Sequence, residues 1–184
     1  MKKIILASAS PRRKSILESM GLAFTIQPSD FEENLKSDEF SYSAIEYLAE
    51  QKALTIENPN CDIVISADTV VVLDNKILGK PKDREEAYSM LKKLEGKIHQ
   101  VVTAICVTNR EKTIVDSITS TVEFEHLSDE MILNYIDTYK PFDKAGSYGI
   151  QELPQGFIKN VEGSLENIIG LCPKALDAIL QQFL

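Results

Sequence analysis

The most constraining segment of this chain is IVISADTVVVL, residues 63–73, which is followed by Asp74-Asn75 and then by KILGKP. Its β-branched residues predict a buried strand, and the Asp-Asn pair is typical of a tight turn. A strand that returns through so short a turn must pair antiparallel with the segment that follows it. The sequence therefore favours a mixed sheet over a sheet built only from parallel strands.

Helical patterns alternate with strand patterns along the rest of the chain. Ser10 and Asp83 are suitable N-caps, and Gly96 follows the last apolar position of the helix that begins after Asp83. Two long strand patterns, with residues 110–112 as their turn, predict a further antiparallel pair. We therefore expect a single domain over residues 1–184, an α/β fold with a mixed twisted sheet and flanking helices.

The charge balance limits the partners of the chain. It has 20 basic and 28 acidic side chains among 184 residues, which gives a formal net charge of −8. Such a chain is not expected to bind nucleic acid or an anionic membrane. Several cations nevertheless lie close together near the start, and a local cluster of this kind favours a small anionic ligand. They are Lys2, Lys3, Arg12, Arg13 and Lys14.

The cysteines and the apolar segments indicate the compartment. Cys61, Cys106 and Cys172 are far apart and form no CxxC pair, so they predict neither a disulfide framework nor a zinc site. The apolar run after Lys3 is too short for the core of a signal peptide. No segment reaches the ~18 apolar residues that a membrane span requires. We expect a cytoplasmic protein.

The segment LASASPRRK, residues 6–14, places Arg12 and Arg13 in the first turn of a helix. This end of a helix carries unpaired N–H groups and a partial positive charge, so each cation there costs roughly 0.3–1 kcal/mol. An anion bound in the turn would remove that cost, held by the N–H groups, by Ser8 and Ser10 and by the guanidinium groups. The alternative is that both arginines are solvated or paired with acidic neighbours.

Asp68 interrupts the apolar pattern of residues 63–73. A carboxylate buried in such a strand needs a cation, hydrogen bonds or a metal to offset the loss of its water. This makes Asp68 a candidate catalytic or metal-binding group, and the alternative is a structural aspartate bonded to a neighbouring loop. Thr69 points to the opposite face if the strand is regular.

Three lysines could complement that carboxylate: Lys52 on an otherwise apolar helix face, Lys80 in LGKPK and Lys144 in FDKAGS. The alternative for each is an ordinary solvated side chain. Glu33, in an acidic loop, is a candidate metal ligand. Carboxylates, lysines and an arginine-rich helix start are typical of phosphate-ester hydrolysis with a hard divalent cation. The segment LASASPRRK lacks the glycines of a Walker A loop.

Several short motifs follow one another in an order that covers nearly the whole chain. They resemble the motifs of the Maf family, whose members are nucleoside triphosphate pyrophosphatases. The motifs are LASASPRR, the Glu32-Glu33 pair, QKA at 51–53, SADTVV at 66–71, LGKP at 78–81, H-x-V-x-T from His99, DKAGSYGIQ at 143–151 and IIGLC near the end.

The resemblance implies a two-lobed, inosine-triphosphatase-like fold, the Maf/Ham1 fold, around a central cleft in a protein that is usually a homodimer. It implies cleavage between the α and β phosphates of a nucleoside triphosphate substrate, with a divalent metal cation, Mg²⁺ or Mn²⁺. Arg12, Thr69 and Gln151 resemble the specificity positions of the branch that acts on dTTP and UTP, including modified pyrimidine forms.

By the same resemblance, Asp68 is the catalytic base and, with Glu33, a metal ligand. The alternative is a nucleotide-binding regulator of cell division without turnover. Asp68 argues against that alternative, because a pure binder gains nothing from a carboxylate beside a polyanion. The other predicted site residues bind the substrate; they are Ser8, Arg12, Arg13, Lys52, Thr69, Lys80, Lys144 and Gln151.

Two expectations concern stability. If cations at the helix start are unfavourable, Arg13→Ala leaves thermal stability unchanged or raises it. If the Asp68 carboxylate is poorly compensated in the empty cleft, Asp68→Asn also maintains or raises it.

Overall fold

The structure, a computed structural model, describes residues 2–32, 37–57, 61–109 and 111–183. Strands and helices alternate as far as residue 73, and a short 3₁₀ turn at Ala145–Ser147 follows the fourth helix. The elements are β1 (Ile4–Leu6), α1 (Pro11–Ser19), β2 (Phe24–Ile26), α2 (Tyr42–Leu54), β3 (Ile63–Leu73), β4 (Lys76–Leu78), α3 (Arg84–Leu94), β5 (Ile98–Thr108), β6 (Thr113–Phe124), α4 (Asp129–Tyr139), β7 (Ile158–Glu162), α5 (Leu165–Ile169) and α6 (Pro173–Leu180).

These strands form one mixed sheet of seven strands with the order β2-β1-β3-β5-β6-β7, and β4 pairs with β3. β1 runs parallel to β2 and β3, whereas β5 is antiparallel to both β3 and β6. The expected mixed α/β sheet is therefore confirmed. The hairpin at Asp74-Asn75 is also confirmed, and the two residues have φ angles of 51° and 62°, as a tight hairpin turn requires.

One edge of β3 changes its partner along the strand. The inner edge pairs with β5 from residue 64 to residue 72. The outer edge pairs with β1 at residues 63–65 and with β4 at residues 71–73. Residues 66–70 therefore lie at a gap in the outer edge, where no described strand pairs with β3. We call these five residues the β3 gap.

Helices cover both faces of the sheet. Because side chains alternate along β3, Val64 and Val70 pack with α2 on one face, and Ala67 and Val71 belong to the other face. On that second face Ala67 packs in a cluster with α1 and α6, while Val71 packs in a separate cluster with α3 and α4. Thr69 lies at the seam between these two clusters.

Among the described elements, α5 is a helix that the sequence patterns do not predict. α5 has only five residues; the Ser164 side chain caps its start by accepting from the Asn167 N–H, and Gly170 ends it. This helix lies against β5 and β6 and buries Asn167 and Ile168. Within the part of the chain that the structure describes, no helix is both long and apolar enough to cross a membrane.

Candidate active site

A cleft of about 430 Å³ opens beside the β3 gap. Its lining includes every predicted site residue that the structure describes. Glu33, the remaining predicted metal ligand, lies outside the described residues. The structure therefore brings together side chains from distant motifs, and their roles stay predictions. The predicted residues in the lining are Ser8, Arg12, Arg13, Lys52, Asp68, Thr69, Lys80, Lys144 and Gln151.

The cleft is more positive than the chain as a whole. Its described lining carries five cationic side chains and three carboxylates, whereas the chain has a formal net charge of −8. A positive cleft in an acidic protein attracts a polyanion of small size. The cations are Arg12, Arg13, Lys52, Lys80 and Lys144, and the carboxylates are Asp68, Asp143 and Glu152.

Asp68 lies in the β3 gap and faces α2. Lys52, in the last turn of α2, donates a hydrogen bond to the Asp68 carboxylate, and the two side chains are only 10% and 8% exposed. Each charge offsets part of the desolvation of the other. The interpretation of Lys52 as a solvated side chain is therefore wrong. The described partner of the Asp68 carboxylate is this lysine on α2, whereas the alternative placed its partner in a neighbouring loop.

The start of α1 has the predicted capping. Ser10 is the N-cap and accepts from the Arg13 N–H at 3.5 Å, and the Ser10 N–H donates to Ser8 Oγ at 3.2 Å. The Arg13 side chain points across the cleft wall, where Nε donates to the Gly170 carbonyl at 2.9 Å. Its two terminal nitrogens donate to Ser8 Oγ at 3.2 Å and Thr69 Oγ1 at 3.0 Å. Arg13 therefore joins α1, β3 and the end of α5.

The loop after α4 supplies the other charged wall. Lys144 is buried, with Nζ 2.8 Å from an Asp143 oxygen and 3.3 Å from a Glu152 oxygen. Arg12 lies 3.4 Å from Asp143. Burial raises the pKa of Asp143, but the contacts with Lys144 and Arg12 outweigh it and hold the pKa below its ordinary value. In the described structure, Arg12 and Lys144 are thus paired with carboxylates that a bound polyanion would compete with.

Lys80 and Gln151 lie on the exposed rim of the cleft. The loop that carries Lys144 and Gln151 is tied to the β4 side by a hydrogen bond of 3.0 Å from the Gly146 N–H to the Gly79 carbonyl. Gly146 has a φ of +65°, and a Cβ there would lie 2.8 Å from a Val71 methyl group. Glycine is therefore required for this close approach of the loop to β3.

Part of the cleft wall is apolar and belongs to one packed cluster. Val71, Val101, Tyr148 and Ile168 form this part of the wall. The Tyr148 hydroxyl lies 2.7 Å from Nε2 of His99, which is only 2% exposed. Burial lowers the pKa of His99 to about 4 and raises that of Tyr148 above its ordinary value.

Sequence reasoning assigned no role to Asp143, Glu152 or Tyr148, although all three line the cleft. Two of them lie within the motif DKAGSYGIQ, and Glu152 follows it directly. Only their position in or next to this motif could have indicated a role in the cleft, because no local pattern distinguishes them from surface residues.

A divalent cation can be tested against the donors in the cleft. Among the described residues, no group of three or more histidine, cysteine or acidic side chains is arranged to hold a metal ion. Mg²⁺, however, is commonly bound by one or two carboxylates together with phosphate oxygens. Asp68 provides one carboxylate in the cleft, so the donors fit a hard cation that binds together with a polyphosphate.

The fold is shared with a solved structure of a HAM1 protein from Coxiella burnetii. The two chains are 13% identical, the TM-score is 0.55, and the match covers 99% of this chain and 100% of that chain. At this identity the likeness shows the fold alone, and it confirms the expected Ham1-type α/β architecture.

Sequence comparison identifies the family. A family model described as "Maf-like protein" matches residues 3–183. The chain is 46% identical to a "dTTP/UTP pyrophosphatase" of Alkaliphilus oremlandii, over 98% of this chain and 96% of that protein. It is 43% identical to a "dTTP/UTP pyrophosphatase" of Ruminiclostridium cellulolyticum, over 99% of this chain and 96% of that protein. The chain belongs to the Maf family.

Proposed function

We propose that this chain is a nucleoside triphosphate pyrophosphatase that hydrolyses dTTP and UTP, including modified pyrimidine forms, to the nucleoside monophosphate and pyrophosphate. The observation that carries the proposal is a cleft with five cations around a buried aspartate in a member of the Maf family. The names of the relatives in Alkaliphilus and Ruminiclostridium support the choice of substrate.

In the proposed mechanism the triphosphate lies along the cations of the cleft. The Asp68 carboxylate accepts a proton from the attacking water, which adds to the α phosphorus as pyrophosphate leaves. The cations stabilise negative charge that develops on the transferred group and on the leaving group. Lys52 orients the Asp68 carboxylate through their hydrogen bond.

A divalent cation, Mg²⁺ or Mn²⁺, is part of the proposal. Asp68 would hold it, together with Glu33 as the sequence motif predicts. When bound, such a cation neutralises charge on the phosphate oxygens and polarises them. Its requirement is tested by adding a chelator and then restoring each metal separately.

Base recognition is assigned to Arg12, Thr69 and Gln151, all of which line the cleft. An amide such as that of Gln151 can pair with a base edge through a donor and an acceptor, whereas a lysine only donates. The single domain, the homodimer, the cytoplasmic location and the lack of a nucleic-acid or membrane partner stay predictions from the sequence.

The reaction is tested with dTTP and UTP in ¹⁸O-enriched water, with the products followed by phosphorus NMR. Attack at the α phosphorus places the label in the monophosphate and leaves pyrophosphate unlabelled. Orthophosphate as the first product, or label in the pyrophosphate, would contradict the proposed reaction. Nucleotide binding without turnover would instead favour the regulator.

Asp68→Asn tests the general base, because it keeps the shape of the side chain and removes its charge. We expect kcat to fall by at least about 100-fold, since a positioned general base contributes roughly 10²–10⁴ in rate. Nucleotide affinity without metal should stay level or improve, because one negative charge beside the phosphates is lost. Asp116→Asn, at an exposed aspartate on β6, is the matched control and should keep normal turnover.

The structure changes the expected effect of Asp68→Asn on stability, which the sequence predicted to be neutral or favourable. Asp68 is compensated by the buried ammonium of Lys52, so Asp68→Asn leaves that charge without its carboxylate. We expect a loss of roughly 1–3 kcal/mol in the free energy of unfolding, because the Lys52 ammonium loses its buried counter-charge while the asparagine oxygen can still accept its hydrogen bond. Urea unfolding measures this loss. Normal turnover by the folded variant would refute the catalytic assignment.

A further inference from the structure

Two threonines meet at the seam between the apolar clusters. Thr69 on β3 pairs directly with Thr103 on β5. Thr69 lines the cleft, whereas Thr103 is fully buried and does not line it. Their hydroxyl oxygens are 2.9 Å apart. A buried threonine therefore lies directly behind a threonine that faces the substrate.

The hydrogen bonds around this pair determine which hydroxyl donates. Arg13 Nη2 lies 3.0 Å from Thr69 Oγ1, and a guanidinium nitrogen only donates, so Thr69 accepts from it. Thr103 Oγ1 lies 3.0 Å from the Asn167 carbonyl, which only accepts. Thr103 therefore donates its hydrogen to that carbonyl, and its oxygen accepts the hydrogen of Thr69.

The Thr69 hydrogen has a second possible acceptor, the Gly170 carbonyl, and it too lies inside the protein. The Gly170 carbonyl lies 3.4 Å from Thr69 Oγ1, a longer contact than the one to Thr103. Either acceptor belongs to the protein rather than to the cleft. The single hydroxyl hydrogen of Thr69 is therefore directed inward, and toward the cleft its oxygen can only accept.

We propose that Thr103 is a positioning residue for substrate selection, which fixes the direction of the Thr69 hydroxyl so that Thr69 accepts a hydrogen bond from N3–H of a thymine or uracil base. The proposal rests on the proposed function, because it concerns the base that the pyrophosphatase accepts. It adds to the predicted specificity position a buried residue that controls its hydrogen-bond polarity.

The chemistry of the ligand supports this choice. Phosphate oxygens only accept hydrogen bonds, so an oxygen that also only accepts cannot bind the triphosphate. Thymine and uracil carry one donor on their pairing edge, N3–H, between two carbonyl oxygens. Cytosine has an unprotonated N3 at that position, which would face the lone pair of Thr69. An acceptor-only threonine therefore favours thymine and uracil over cytosine.

The position of Thr69 also favours a base contact. It shares a face of β3 with Val71, and the apolar part of the cleft wall is formed by Val71, Val101, Tyr148 and Ile168. Asp68 projects from the opposite face, toward Lys52. An apolar wall suits a planar base, whereas the charged groups suit the phosphates.

The test compares the affinities of α,β-imido-dUTP and α,β-imido-dCTP, measured by calorimetry. Neither analogue is hydrolysed at the α–β bond, so the measurement remains valid if the protein binds nucleotides without turnover. Thr103→Val removes the shorter of the two inward contacts and leaves the Thr69 hydrogen only the 3.4 Å contact with the Gly170 carbonyl, so that it can turn toward cytosine N3. We expect the preference for the uracil analogue to fall by about tenfold, mainly through tighter binding of the cytosine analogue.

Two further variants separate positioning from general structural damage. Thr103→Ser keeps the hydroxyl group and should keep the preference of the unmodified protein. Thr108→Val changes another buried threonine on β5, whose hydroxyl bonds within the turn after the strand, and should also keep it. Equal weakening of both analogues by Thr103→Val would refute the positioning role.

The base contact is tested in the unmodified protein with N3-methyl-α,β-imido-dUTP, which lacks the N3–H donor and is not hydrolysed at the α–β bond. We expect its affinity to be at least about tenfold lower than that of α,β-imido-dUTP. Equal affinity would overturn the assignment of N3–H even if Thr103→Val fails to fold. The isotope experiment is independent of this result, so failure of the inference and failure of the proposed reaction can be distinguished.

Discussion

At the scale of single residues, Arg13 shows how a local argument can be correct and still incomplete. A cation in the first turn of a helix is unfavourable by roughly 0.3–1 kcal/mol. The Arg13 guanidinium, however, donates hydrogen bonds to Ser8, Thr69 and the Gly170 carbonyl. Because Arg13 is only partly buried, we take these three bonds together to contribute roughly 1.5–3 kcal/mol, the value for one bond from a charged group. These bonds outweigh the unfavourable position at the helix start.

Arg13→Ala is therefore expected to lower stability, in contrast to the expectation from the sequence. We expect the free energy of unfolding in urea to fall by roughly 1–3 kcal/mol, because three contacts between separate elements are lost. Nucleotide affinity should fall as well. Arg12→Ala is the comparison, since Arg12 has a 3.4 Å contact with an exposed carboxylate, and should change stability little. Unchanged stability of Arg13→Ala would restore the helix-end argument.

At the scale of elements, the hairpin between β3 and β4 places one side of the cleft. It returns the chain along the outer edge of β3 only at residues 71–73, which leaves the β3 gap open. It also leads directly to Lys80 on the rim. A longer or slipped hairpin would cover the gap or move the lysine.

Asn75 tests this element, because it adopts a φ of 62°, which glycine and asparagine tolerate better than other residues. Asn75→Gly should be neutral or slightly stabilising in thermal unfolding. Asn75→Ala should cost about 1 kcal/mol, and turnover at low temperature should persist. Equal melting temperatures for both variants would show that the turn conformation does not limit stability.

α5 is the element that local patterns miss, although it contributes to the site. Five residues are too few for a recognisable apolar period, and isolated helices of this length are not stable. Its stability comes from Ser164 at the N-cap and from burial of Asn167 and Ile168. Its last residues present the carbonyl groups that Thr103 and Arg13 contact.

At the scale of the whole molecule, His99 connects the sheet to the loop that carries Lys144. Its ring packs edge-on against Phe124 and Tyr148, and Nε2 is hydrogen-bonded to the Tyr148 hydroxyl. Burial lowers the pKa of His99 from 6.5 to about 4. The folded protein therefore keeps this histidine neutral at a pH at which the unfolded chain protonates it.

Stability should consequently fall as the pH is lowered from about 6.5 toward 4, because the unfolded state binds a proton that the folded state does not. Between pH 6.5 and 5 we expect a loss of about 1.5 kcal/mol in urea unfolding. His99→Gln retains a hydrogen-bonding side chain that does not titrate, so its stability should be nearly constant in this range. An equal slope in both proteins would show that other groups cause the dependence.

The sequence by itself determined the mixed sheet, the helix caps at Ser10 and Asp83 and the hairpin at Asp74-Asn75. These features depend on residues that are close in the chain, where propensity and hydrogen bonding act locally. The motifs also identified the family and, with it, the described residues that line one cleft.

Only the tertiary structure decided which charges meet. Lys52 contacts Asp68 across 16 positions, and Arg13 contacts Gly170 across 157 positions. No local pattern encodes such pairs, because they depend on how the helices pack on the two faces of the sheet. The gap in the edge of β3 is decided in the same way: it exists because β1 and β4 pair with the same edge and stop short of each other. That gap exposes side chains from both faces of one strand, and it makes a buried aspartate accessible to a ligand.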